Sequence, residues 1–126
     1  MLQQHERTSL ASLQPCLSVA QVQALQRHCR EVTVAAPLRR YIVELVRATR
    51  HDSEIALGVS PRGAVALQQA TQALALLNGR DCGMPDDVKF LTPYVLAHRL
   101  IPAGSSSASA IISRLLDAVP VEATAQ

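Results

Sequence analysis

The apolar positions of this chain recur at helical spacing in several separate stretches. Leu38, Tyr41, Ile42, Leu45 and Thr49 form one stripe, while Arg39, Arg40, Glu44 and Arg47 fall mainly off it. That pattern predicts an amphipathic helix over about 37–50. Pro37 suits its first position because the ring already holds φ near the helical value. Glu44 is within helical reach of Arg40 and Arg47, contacts worth about 0.2–0.5 kcal/mol each. Upstream, Val22, Leu25 and Cys29 predict a helix over about 19–30, with Ser18 as N-cap and Gln21 completing a capping box. Downstream, Ala64, Leu67, Ala70, Leu74 and Leu77 read as the inner face of a helix from Pro61 to about 78. Gln68, Gln69 and Gln72 read as its outer face, and Gly79 as its left-handed stop.

Pro85, Asp86 and Asp87 start a fourth helix, with acids at its electropositive end. Pro93 is expected to end that helix and begin another over about 93–99, because proline lacks the amide donor a helix interior needs. Beyond the flexible 104–107 link, Ile111, Ile112 and Leu115 or Leu116 mark a last helix over about 108–117, closed by Pro120. Short strands fit at 32–34, 55–57 and 100–102. The expected fold class is all-α, a single helical bundle of four to six helices with two or three very short strands. Residues 1–17 read as a connector, 18–120 as the domain and 121–126 as a tail.

Composition narrows this picture. The 126 residues suit one domain; 48% are apolar but only 2% aromatic, so Leu, Val, Ile and Ala must build the core. A net charge of +2 gives no electrostatic case for nucleic acid or an anionic membrane, and so few aromatics supply no stacking platform for single strands. No apolar run is long enough to span a bilayer. Cys16, Cys29 and Cys82 form no C-x-x-C pair and read as reduced thiols of a cytoplasmic protein. His28 stands beside Cys29, but no second ligand pair completes a tetrahedron, so no metal ligand is assigned.

The candidate chemistry lies in Gly58-Val59-Ser60-Pro61-Arg62-Gly63. Ser60 is a good N-cap and Pro61 a good first helical residue, which puts Arg62 in the first turn. The helix dipole disfavours a cation there unless an anion sits nearby. Free N–H groups and a guanidinium together suit a phosphate. On this stretch alone, a solvated surface arginine fits as well.

Five blocks in order carry a resemblance. They are Tyr41-Ile42-Val43-Glu44-Leu45-Val46-Arg47-Ala48-Thr49-Arg50, Leu57 to Arg62, Ala75 to Asp81, Pro85-Asp86-Asp87-Val88, and Val95 to Leu100. Together they resemble the C-terminal lid of MoxR-type AAA+ ATPases across roughly residues 30–102. The resemblance implies that Arg62 is the sensor-2 arginine, which reaches the terminal phosphates of ATP bound with Mg2+ on a separate P-loop core. Ser60, Pro61 and Arg62 then form the nucleotide-facing segment. It also implies a homo-oligomeric ring, a hexamer, with a chaperone-like role and a partner carrying a von Willebrand A domain.

The chain itself contains no G-x-x-x-x-G-K-[ST], and Asp86-Asp87 suits helix capping rather than magnesium. It therefore reads as the lid alone, preceded in a longer protein by an ATPase core, with Met1 not the native start. By itself it is expected to hold no nucleotide and hydrolyse nothing. His98 and Arg99 read as cations at a helix C-terminus or as contacts to the core. Arg50 and Arg80 read as ion-pairing residues, with Asp81 or Asp52 as partners. Cys82 reads as a passive turn thiol. Two other classes fit the pattern less fully. One is a helical DNA-binding module with Arg39, Arg40, Arg47 and Arg50 on phosphates, detectable as salt-dependent duplex binding. The other is a histone-like dimerisation domain, detectable as an obligate dimer in gel filtration.

Overall fold

The computed structural model describes residues 12–121. Five helices and one small sheet follow in the order α1 (Val19–Glu31), α2 (Ala36–His51), β1 (Ile55–Leu57), α3 (Pro61–Leu77), α4 (Pro85–Leu96), β2 (Ile101–Pro102) and α5 (Ala108–Ala118), with a 3-10 turn at Ala97–Arg99. The expected helical bundle is present. The connector expected over 1–17 and the tail over 121–126 fall largely outside the described residues.

Local chemistry accounts for the boundaries. Ser18 and Gln21 form the capping box of α1: the Gln21 amide donates to Ser18 Oγ at 3.2 Å, and the Ser18 amide to Gln21 Oε1 at 2.8 Å. Gly79 takes φ +70° after α3, as its left-handed stop requires. At α4, Asp87 Oδ2 accepts the Met84 amide at 2.8 Å. The acid therefore caps this helix, in keeping with its place in the sequence. Pro93 does not break the helix, contrary to expectation. It sits in the last turn of α4, and the carbonyl it leaves without a helical donor, four residues back, belongs to exposed Lys89. Thr92 Oγ1 donates to Val88 O at 2.6 Å and adds a bond in the same turn.

The core gathers on α2. Leu38, Tyr41, Ile42, Leu45, Val46 and Thr49 are all buried, and Val59, Leu67, Val88, Leu96, Leu100 and Ile112 close over them. Fully burying a side chain such as Leu67 contributes about 1.5–3 kcal/mol. On α3 the buried line is Gly63, Leu67, Thr71 and Ala75, strictly four residues apart. Leu77, expected inward, is 81% exposed. Gln72, expected outward, donates from Nε2 to Val32 O at 2.8 Å.

The strands are minimal. β1 and β2 pair antiparallel, Ile55 with Pro102 and Leu57 with Ile101. The strand expected at 32–34 reduces to a single parallel bridge between Thr33 and Cys82. There the Thr33 amide donates to Asp81 O at 2.8 Å and the Gly83 amide to Thr33 O at 2.9 Å. That bridge ties the α1–α2 link to the α3–α4 turn.

Candidate functional site

The segment that carries Arg62 is held from beneath by the last turn of α2. Thr49 Oγ1 accepts the Val59 amide at 2.9 Å and donates to Val46 O at 2.7 Å. Arg50 Nε donates to Val59 O at 2.9 Å. Both backbone groups of Val59 are thereby satisfied outside any helix or sheet, and Val59 is 0% exposed. Gly58 lies directly on α2: a Cβ there would stand 2.7 Å from Thr49 O and 2.9 Å from Arg50 Cα. Only glycine allows that approach. A Cβ on Gly63 would collide with Val59 Cγ1, so the start of α3 packs tightly on the same valine.

Ser60 takes the expected N-cap position with φ −74° and ψ 162°, and Pro61 is the first residue of α3. The Ser60 side chain makes no capping bond; its carbonyl accepts the Gly63 amide at 2.8 Å. Arg62 follows in the first turn and is exposed. Among the described residues its guanidinium forms no hydrogen bond or ion pair.

The acids nearest in sequence to this segment are engaged elsewhere. Asp52 Oδ2 and Glu54 Oε2 both accept from Arg114 Nη2, at 2.8 and 2.7 Å. The Glu54 amide, and then Arg114, hold the Asp52 carboxyl below the usual carboxylate range. Glu44 is paired with Arg47 at 2.9 Å. Asp87 is paired in a fork with Arg80, at 2.7 and 2.8 Å. Arg80 and then the Met84 amide hold the Asp87 carboxyl low.

Several sequence expectations change at this level. Arg80 pairs with Asp87, not Asp81, because the α3–α4 turn brings the start of α4 back under the guanidinium. Arg50 pairs with a backbone carbonyl, not with Asp52, which Arg114 has taken. Arg99 donates from Nε to Val95 O at 3.0 Å, and its Cδ would lie 3.7 Å from a Cβ on Gly63. The last turn of α4 and the start of α3 are therefore neighbours. Thr49 was legible only as one more position in the α2 stripe. A hydroxyl in an apolar stripe was nevertheless a signal that some loop amide needed a partner.

Among the described residues, Arg62 presents a guanidinium without a carboxylate partner at the amino end of α3. It fits one edge of a phosphate site. Among the described residues no set for a nucleotide base or for Mg2+ accompanies it, since Asp87 is committed to Arg80 and Asp86 sits exposed at the start of α4. A cavity of about 590 Å3 lies elsewhere, bounded by Arg40, Tyr41, Arg47 and His51 on α2 and by Val119 and Pro120 after α5.

A model of the AAA lid domain matches residues 47–115, more than half of the chain and all of this site, and the chain belongs to that family. Within it the chain is related to MoxR-type ATPases. It is 37% identical over 123 residues to the uncharacterized protein YeaC of Bacillus subtilis, an alignment covering 94% of this chain and 38% of that protein. It is 33% identical over 117 residues to the chaperone MoxR1 of Mycobacterium tuberculosis, covering 82% of this chain and 31% of that one. A crystal structure described as that of a candidate ATPase from Cytophaga hutchinsonii superposes with a TM-score of 0.72 at 32% identity, over 77% of this chain and 34% of the other. The chain thus spans about a third of the length of the relatives it matches. Membership of this family takes the place of the DNA-binding and histone-like alternatives.

Proposed function

We propose that this chain is the lid of a MoxR-like AAA+ ATPase and acts on ATP held with Mg2+ by a separate P-loop domain. Arg62 is its sensor-2 residue. With the lid closed, the guanidinium meets the terminal phosphates and stabilises charge that develops there as the γ-phosphoryl group leaves. The chain lacks the phosphate-cradling loop and the magnesium-binding acid, so its part in the chemistry is confined to this contact and to closing the site. Closure is favoured only by contacts absent from the open state, and Arg62 supplies such a contact. Charge-assisted hydrogen bonds of this kind contribute about 1.5–3 kcal/mol each. Opening and closing would then carry hydrolysis into rotation within a homo-oligomeric ring, a hexamer, with a chaperone-like role in the cytoplasm and a von Willebrand A domain protein as partner.

The observation that supports this reading is the state of Arg62. It is exposed and free of any described carboxylate, yet it rises from a backbone segment gripped on both sides. A purely surface arginine needs no such base. The test is steady-state ATP hydrolysis by the protein in which this lid is joined to its P-loop domain. Arg62→Ala is expected to lower kcat tenfold or more, corresponding to the loss of about 1.4 kcal/mol of transition-state stabilisation. Unchanged turnover would remove Arg62 from the mechanism.

A further inference from the structure

We propose that Thr49 and Arg50 are positioning residues for Arg62, acting through the backbone of Val59. The inference rests on the lid reading for its catalytic consequence, but its geometry stands apart from that reading. Neighbouring side chains at the end of α2 take the two backbone groups of one residue: Thr49 takes the Val59 amide at 2.9 Å and Arg50 takes the Val59 carbonyl at 2.9 Å. The peptide planes on both sides of Val59 are therefore fixed in orientation. The Thr49 hydroxyl cannot rotate away, because its own proton is given to Val46 O at 2.7 Å. Gly58 rests on the α2 backbone and Val59 packs on Gly63, so the strap is also closed to sideways movement.

Arg62 begins three positions beyond Val59, and Pro61 restricts φ in between. Few free torsions remain between α2 and the Cα of Arg62. Gly63 is the one buried residue of α3's own face in the first turn; the buried side chains Leu67 and Thr71 lie one to two turns away. Here the first turn has a second anchor, and that anchor belongs to α2. Arg50 is exposed and pairs with no carboxylate among the described residues, so its bond to Val59 is its defined polar contact. A rigid backbone beneath a long, flexible side chain is what a guanidinium needs to arrive at a phosphate in one orientation.

Two measurements test this. The first uses the 126-residue chain and reads backbone amide order parameters by nuclear magnetic resonance. Arg50→Ala and Thr49→Val are expected to lower the values at Val59, Ser60, Arg62 and Gly63, the amide-bearing residues of 59–63, from a rigid level of about 0.85 to below about 0.6. Residues 67–75 should keep theirs. Unchanged order at 59–63 in both variants overturns the proposal. Arg50 is exposed, so its replacement is not expected to unfold the chain; should Thr49→Val do so, Arg50→Ala and Arg50→Lys carry the test. The second uses ATP hydrolysis by the lid joined to its P-loop domain. Arg50→Ala is expected to lower kcat about tenfold with KM and the melting temperature little changed. Arg50→Lys should restore little of it, since an ammonium lacks the Nε geometry. The Arg50→Ala/Arg62→Ala double variant should be no slower than Arg62→Ala alone. If Arg62→Ala slows turnover and Arg50→Ala does not, or if the two losses multiply, the clamp has no positioning role. If Arg62→Ala itself changes nothing, the lid mechanism fails, and the order parameters alone then decide whether the clamp holds the strap.

Discussion

Tyr41 places a phenol in the middle of the α2 core. The residue is 2% exposed, and its hydroxyl has no hydrogen-bond partner among the described residues. Burial pushes its phenol pKa up, as expected for a group whose charged form would be unsolvated. An unpaired buried hydroxyl costs about 1–3 kcal/mol of desolvation. Tyr41→Phe keeps the ring and removes that cost. It is expected to raise the unfolding free energy by about 1 kcal/mol, read as a higher urea midpoint at unchanged m. A loss of stability would mean that the hydroxyl has a partner after all. The sequence marked Tyr41 as a core position correctly, since the stripe is a one-dimensional signal. It could not report the orphaned oxygen, because partners depend on which loops fold across the stripe. The same limit hid Thr49 and Arg50, whose shared partner lies nine and ten residues downstream. Arg62 was legible because Ser-Pro-Arg encodes its own local structure.

At the scale of elements, the α3–α4 junction is closed by a two-bond ion pair. Arg80 and Asp87 meet in a fork, and the same carboxylate caps α4 through the Met84 amide. Asp87 therefore titrates below its ordinary value of 3.8 in the folded chain. A carboxyl depressed on folding adds stability that is complete above its unfolded pKa and fades as pH falls through the folded value. Asp52, also held low, acts in the same direction. Stability measured by denaturant should thus be insensitive to these groups near neutrality and decline below about pH 4. Asp87→Asn should cost about 1.5–3 kcal/mol at pH 7 and flatten part of that acid decline. An unaltered pH profile in the variant would show that the fork contributes nothing to folding. The sequence placed Asp87 at a helix start, yet the pairing with Arg80 needed the reversal that Gly79 and the Thr33–Cys82 bridge produce. The misplaced inner face of α3 has a related cause. That helix touches α1, α2 and α4 at once, so no single stripe of its Ala and Leu residues defines inside, and Leu77, its last residue, is left exposed.

Across the whole molecule the core is uneven. α2, α3, α4 and α5 each contribute buried residues, whereas α1 contributes none. Val22 and Leu25, the positions that made α1 predictable, remain 41% and 43% exposed. α1 packs on α3 and is held by its capping box and by the Val32–Gln72 bond that follows it. A helix of 13 residues is marginal in isolation, and most helical stability in proteins comes from burying one face. The free energy that opens α1 should therefore lie well below that which unfolds α2 and α3. Hydrogen exchange on this chain should show α1 amides exchanging at least about tenfold faster than those around Ile42 and Leu67, a gap of about 1.4 kcal/mol or more. Leu25→Ala should then change global stability by less than about 0.5 kcal/mol, while Leu67→Ala should cost about 2–5 kcal/mol. Equal protection of α1 and α2 would place α1 in the cooperative core, and its 13 residues would then need a source of stability other than buried side chains. The distinction bears on how firmly Arg62 is held. Arg62 is referred to α2 through Val59 and to α3 through its own helix, both in the well-packed region, so opening α1 would leave the Arg62 edge in place.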